Sequence, residues 1–292
     1  MSNATVTSVL ARCLLDVGFL ERVHAHPHSA LREYAVDERT RSDLASLEID
    51  RVRSFAAFIA RVQHNFLWES FPYTVKLMKL HGIELAVFAN YLGTHQRLRR
   101  SGVSIDERLV AFLGYLRGYL ESVPMPQRST MLDVLTHEQA EWQVRRGHAA
   151  VPAIHPRRGA RPPVGSGEFL RLVPVVRGVL RLASFSRDPC AMIDLIARGE
   201  DGAELLPLRP AWLAYWSDGE SLHVLEVDAY SAALLSEVNG SRSVRTVIRR
   251  SFRGASTLPD RLEIRSLFEG LAECGLLALV SRKDLCHAHR AG

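Results

Sequence analysis

The stretch AWLAYWSDGESLHVLEVDAYSAALLSEVNG, residues 211–240, changes its period in mid-course, and that change decides the fold. Over Ala211–Ser217, Trp212, Ala214 and Trp216 alternate with Leu213, Tyr215 and Ser217, the two-residue period of a strand. Asp218-Gly219 follows as a favoured two-residue hairpin turn, because glycine accepts positive φ. Ser221–Val227 reads as the second strand, with Leu222, Val224 and Glu226 on one face and His223, Leu225 and Val227 on the other. Asp228 then caps a helix whose apolar positions are Tyr230, Leu234, Leu235 and Val238, closed by Asn239-Gly240.

Downstream, Ser243 opens a short helix carrying Val244, Val247 and Ile248. Pro259 leads into a third with Leu262, Ile264, Leu267, Phe268 and Leu271, which Cys274-Gly275 ends before a last strand over Leu276–Val280. A hairpin followed by three short helices is a winged-helix plan, and that plan binds either DNA or peptides.

These residues resemble the PqqD-type precursor-peptide recognition element of ribosomally made, modified peptides. The likeness rests on Ala233-Leu234-Leu235, Gly240, Ser243-Val244, Ile248, Leu271 and Gly275-Leu276-Leu277, about a quarter of the chain. Most of these are core positions, so the likeness speaks to fold before function. It implies a peptide added as a strand along Leu222, His223, Val224, Leu225, Glu226 and Val227. A sheet edge offers unpaired N–H and C=O groups for that purpose. It also implies a groove walled by the third helix, through Arg261, Leu262, Arg265, Phe268 and Glu269, with the two arginines suited to an acidic leader. The plain alternative for Leu262 and Phe268 is ordinary core.

At 292 residues, with 47% hydrophobic and 24% charged residues, the chain has room for two domains with ample cores. No apolar run approaches the roughly 20 residues that span a bilayer. The N-terminus lacks a basic start and a small-residue cleavage site, so it reads as helix, and a cytoplasmic location is expected. Cys13, Cys190, Cys274 and Cys286 form no CxxC pair, which fits a reducing compartment. From Gln143 through Arg181 there are eight arginines, Arg181 included, and one acid, Glu168. Residues 148–168 read as a basic Pro/Gly linker between a helical domain, 1–147, and a recognition domain, 169–292.

The N-terminal half reads as helix almost throughout. Val6–Val23 is expected as one helix and Ser46–Ser70 as a long one, ended by Phe71-Pro72. Phe19, Pro27, Ala30-Leu31, Tyr34 and Val36 resemble a small LigA-like helical module found beside modified-peptide biosynthesis systems. Phe71-Pro72, Tyr91 to His95, Phe112 with Leu113 and Leu116, and Glu138, Glu141 and Trp142 are similar to the helical domain of partner subunits of multinuclear non-haem iron oxidative enzymes. Leu172, Pro174, Val176 and Arg177 extend that likeness. It implies a TIM-barrel iron enzyme as heterodimeric partner, with the iron in that partner and no cofactor in this chain. The linker departs from the pattern in length and charge.

No catalytic set emerges. His24, His26 and His28 have the two-residue spacing of a strand-borne metal site, yet they sit at a helix end beside Pro27. His137-Glu138-x-x-Glu141 lacks the second histidine of a zincin, and Cys286-His287-x-His289 lies in a terminal tail. There is no P-loop, GxGxxG or GxSxG. The sequence is therefore expected to encode an α+β, non-enzymatic accessory subunit. It would bind the leader of a precursor peptide and present it to an iron-dependent enzyme that modifies cysteine, the carbon-excising branch being favoured over heterocycle formation. The alternative is a winged-helix DNA-binding regulator. Against it, Glu263, Glu269 and Glu273 on the third helix would repel phosphate.

Overall fold

The computed structural model describes residues 3–63, 65–94, 103–125, 127–147, 166–200, 202–253 and 260–285. The sequence expectations for His95, most of the linker, Pro259 and Cys286–His289 lie outside the described residues. The protein is α+β and forms two compact units, Met1–Leu132 and Asp133–Gly292.

The first unit is helical: α1 (Asn3–Leu15), α2 (Val17–Ala25), α3 (Pro27–Ala30), α4 (Glu38–Ala45), α5 (Ile49–Gln63), α6 (Asn65–Ser70), α7 (Pro72–Leu80), α8 (Glu84–Thr94) and α9 (Ile105–Ser122). The single helix expected over Val6–Val23 is two. Asp16 accepts a 2.9 Å hydrogen bond from the Phe19 N–H, and a side chain that caps α2 in this way ends α1 just before it. Val9, Cys13, Phe19, Leu20, Val23, Leu31, Val36 and Leu44 close a core around that corner. The long helix expected over Ser46–Ser70 begins at Ile49 and is described as α5 and α6, and its stop before Pro72 is as expected. Farther along, Phe88 stacks on Phe112 at 5.5 Å and Tyr91 meets Phe112 edge-on at 5.1 Å. Phe55, Phe58 and Val62, at i, i+3 and i+7 on α5, remain exposed.

Helix α10 (Arg128–Gly147) crosses from one unit into the other. Residues 133–147 pack with the second unit, whereas all of 1–147 was expected in the helical domain. The second unit continues with α11 (Ser166–Phe169), β1 (Val173–Val176), β2 (Leu180–Phe185), α12 (Pro189–Arg198) and a 3-10 turn (Ala203–Leu205). It then runs through β3 (Ala211–Ser217), β4 (Leu222–Val227), α13 (Ala229–Ser236), α14 (Val244–Ser251), α15 (Arg261–Glu273) and β5 (Leu277–Val280). Two antiparallel sheets result, one of order β2-β3-β4 and one pairing β1 with β5.

The central strand β3 is buried along most of its length because both of its faces are covered. Ala214 and Trp216 join Val227, Leu234, Leu235, Val244, Val247, Ile264 and Phe268 in a core shared with α13, α14 and α15. On the opposite face, Leu213 and Tyr215 join Ala183, Phe185 and the α10 residues Ala140 and Val144. The period-2 pattern thus delivers each face to a different helical layer.

Candidate functional site

Strand β4 is an edge. It pairs with β3 through Val227↔Trp212, Leu225↔Ala214 and His223↔Trp216, and no strand lies on its other side among the described residues. The side chains divide as the alternation requires. Leu225 and Val227 pack toward the three-helix core, while Leu222 packs toward the α10 face. Val224 is 43% exposed, and exposed Glu226 is held by Arg209 at 3.1 Å. A half-covered apolar row beside open backbone groups is what strand addition needs: hydrogen bonds for affinity and side-chain sites for register.

The turn before β4 is longer than the two residues expected. Pairing of Ser217 with Leu222 leaves Asp218–Ser221 as a four-residue loop, with Gly219 at a φ of 106°. Asp218 organises it. One carboxylate oxygen accepts from the N–H groups of Glu220 and Ser221, and the other lies 3.0 Å from His223 Nε2. The Ser221 N–H, then the His223 contact and the Glu220 N–H, hold the Asp218 carboxyl well below the usual carboxylate range. His223 in turn lies against Trp216, ring centroids 5.1 Å apart and nearly parallel at 23°. The Trp216 Nε1–H is buried without a hydrogen-bond acceptor among the described residues.

The third helix contributes less to a groove wall than its sequence suggested. Ile264, Phe268 and Leu271 form its buried row, and Phe268 is 0% exposed, with Phe169 edge-on at 6.1 Å. Phe268 is therefore core, because the i, i+4, i+7 spacing turns it inward. Leu262 is its opposite, 73% exposed. Arg265 is held by Glu269 at 2.8 Å and lies over the Phe169 ring at 5.9 Å. Arg261 is the first residue of α15, and its side chain lies outside the described residues. Tyr230, in α13, stacks its ring on Phe252, at the end of α14, at 4.4 Å. Burial, then the charges of Glu263 in α15 and Asp228 at the end of β4, push its hydroxyl up.

His24, His28 and His137 are engaged in structural contacts. His24 Nδ1 lies 3.1 Å from the Ala45 carbonyl, and His28 contacts Arg41 and Glu38. His137 Nδ1 is 2.8 Å from the Tyr215 hydroxyl, and its Nε2 is 3.5 Å from Glu141. Burial pushes the His137 imidazole below its usual range, opposed by Glu141, and pushes Tyr215 well above the tyrosine range. Nearby, Asp133 accepts from both the N–H and the hydroxyl of Ser186, at 2.9 and 2.6 Å. Among the described residues no group of three or more His, Cys, Asp or Glu side chains is placed to hold a metal ion, and no helix is long and apolar enough to cross a membrane.

Sequence reasoning missed two features. The Trp216–His223–Asp218 cluster was hidden by reading a shorter turn. The arginines of the run RSVRTVIRRSFR, residues 242–253, were visible but unplaced until α14 showed which of them are exposed. No family model matches the chain, and no curated protein matches it either.

Proposed function

We propose that this chain is a non-catalytic partner protein. Its second unit would capture the leader of a ribosomally synthesised precursor peptide as an added strand on β4, in a winged-helix-like recognition domain. The complex would present that peptide to an iron-dependent oxidative enzyme acting on cysteine. The observation that carries the reading is the β4 edge, unpaired on its outer side among the described residues, beside the half-buried Leu225, with β3 buried behind it. The exposed row Phe55, Phe58 and Val62 supports docking of a partner on the helical unit. Binding both peptide and enzyme raises their effective concentration and requires no chemistry from this chain. The DNA-regulator alternative is disfavoured by Glu263 and Glu273, both exposed on the helix that would enter the groove.

The test is affinity capture with the full chain from its native cells, with mass spectrometry of what is retained. A short cysteine-bearing peptide together with an iron-containing enzyme is expected. Recovery of neither, with DNA in the eluate, overturns the reading. Proline variants locate the contact. Along an antiparallel edge strand successive residues turn their N–H inward and outward. Of Val224→Pro and Leu225→Pro, one therefore removes a ladder bond and the other an outward donor. The outward variant keeps its fold and loses the peptide; retention of the peptide by that folded variant overturns strand addition.

A further inference from the structure

Helix α14 carries a second surface. Residues 241–253 contain five arginines and no acid. Val244 and Val247 bury one side of the helix, and Ser251 hydrogen-bonds back to the Ala233 carbonyl, which fixes the rotation of the helix against α13. Arg242 and Arg250 share the single carboxylate of Glu237, at 2.5 and 2.7 Å. Arg245, Arg249 and Arg253 are exposed and have no carboxylate partner among the described residues. The Arg245 N–H donates to the Leu170 carbonyl and the Val244 N–H to Leu172, which brings exposed Arg171 beside the start of the row.

We infer that this arginine row binds an acidic, extended polypeptide segment. Four residues along a helix advance about 6 Å, and alternate side chains of an extended chain are about 6.6 Å apart. Carboxylates at every second position of such a segment therefore match Arg245 and Arg249 in step, and each can be held by a forked, charge-assisted pair. A nucleic-acid duplex fits less well. Glu237, held against Arg242 and Arg250 beside the row, is a fixed carboxylate that a wide polyanion would have to cover. A single narrow strand avoids it. The surface is separate from the β4 edge and does not depend on strand addition there.

The probe is a fluorescent peptide of alternating glutamate and serine, titrated into the full chain at about 0.05 M salt, where charge contacts are little screened. Arg245→Glu combined with Arg249→Glu is expected to weaken binding about tenfold or more, the scale of reversing two contacting charges. Arg32→Glu with Arg39→Glu, both exposed in the helical unit, makes the same change in net charge and is expected to leave the affinity within about twofold. The outward proline variant of β4 is expected to bind the probe as the unaltered chain does. Equal losses in the two arginine pairs, absence of saturable binding, or tighter binding of a DNA duplex than of the peptide would each overturn the assignment.

Discussion

The two faces of the β2-β3-β4 sheet are held by different physics. Toward α13, α14 and α15 the contact is apolar: Ala214, Trp216, Val227, Leu235, Ile264 and Phe268 exclude water together. Toward α10 the apolar patch is smaller, and two polar connections fix it, His137 to Tyr215 and Asp133 to Ser186. Apolar burial supplies stability without direction, whereas a buried hydrogen bond has one geometry and penalises every other. The first face therefore makes the domain, and the second fixes where one helix lies on it.

Three perturbations would break or sharpen this contrast. Phe268→Ala removes the ring at the centre of the apolar face and should cost about 3–5 kcal/mol, read from the denaturant midpoint of the full chain. A loss much below this range would mean that the three-helix layer is not the main support. Tyr215→Phe keeps the ring and leaves His137 Nδ1 without its partner, for an expected cost of about 1–3 kcal/mol. A cost as large as that of Phe268→Ala would erase the distinction between the faces.

The smallest effect is the pH response. Burial lowers the His137 pKa below its ordinary value of 6.5, so just below that pH the unfolded chain binds a proton that the folded chain refuses. Stability is then full above about pH 6.5 and falls as the pH drops toward the folded-state value. The groups facing the ring are Glu141 on its own helix and Tyr215 from β3. Denaturant midpoints at about pH 7.5 and about pH 5.5 should differ more in the unaltered chain than in His137→Gln. Equal differences would show that the His137 contact does not carry the response.

Local chemistry made part of this architecture legible. Asp228, whose carboxylate accepts from the Ser231 N–H, and Gly275, at a φ of 84°, marked helix ends where the structure has them. The alternation of β3 and β4 gave the correct facing of each side chain, because period-2 order is a property of the strand itself. Strands β1 and β2 were not legible. Val173–Val176 is four residues long, contains Pro174, and finds its partner β5 about a hundred positions away. No local rule encodes that pairing. The bond from His137 to Tyr215 was hidden for the same reason, since 78 positions separate the two residues. Asp16 was misread differently: hydrophobic period ran through it, and its capping bond outweighed the period.

The Asp218 loop has a further consequence. By counting four residues between Ser217 and Leu222, it sets a reading frame for β4. A single inserted residue would exchange the two sets, sending Val224 and Glu226 to the core side and Leu225 out into water. The three contacts gathered by one carboxylate therefore act as punctuation, deciding which of two messages the edge of the sheet displays.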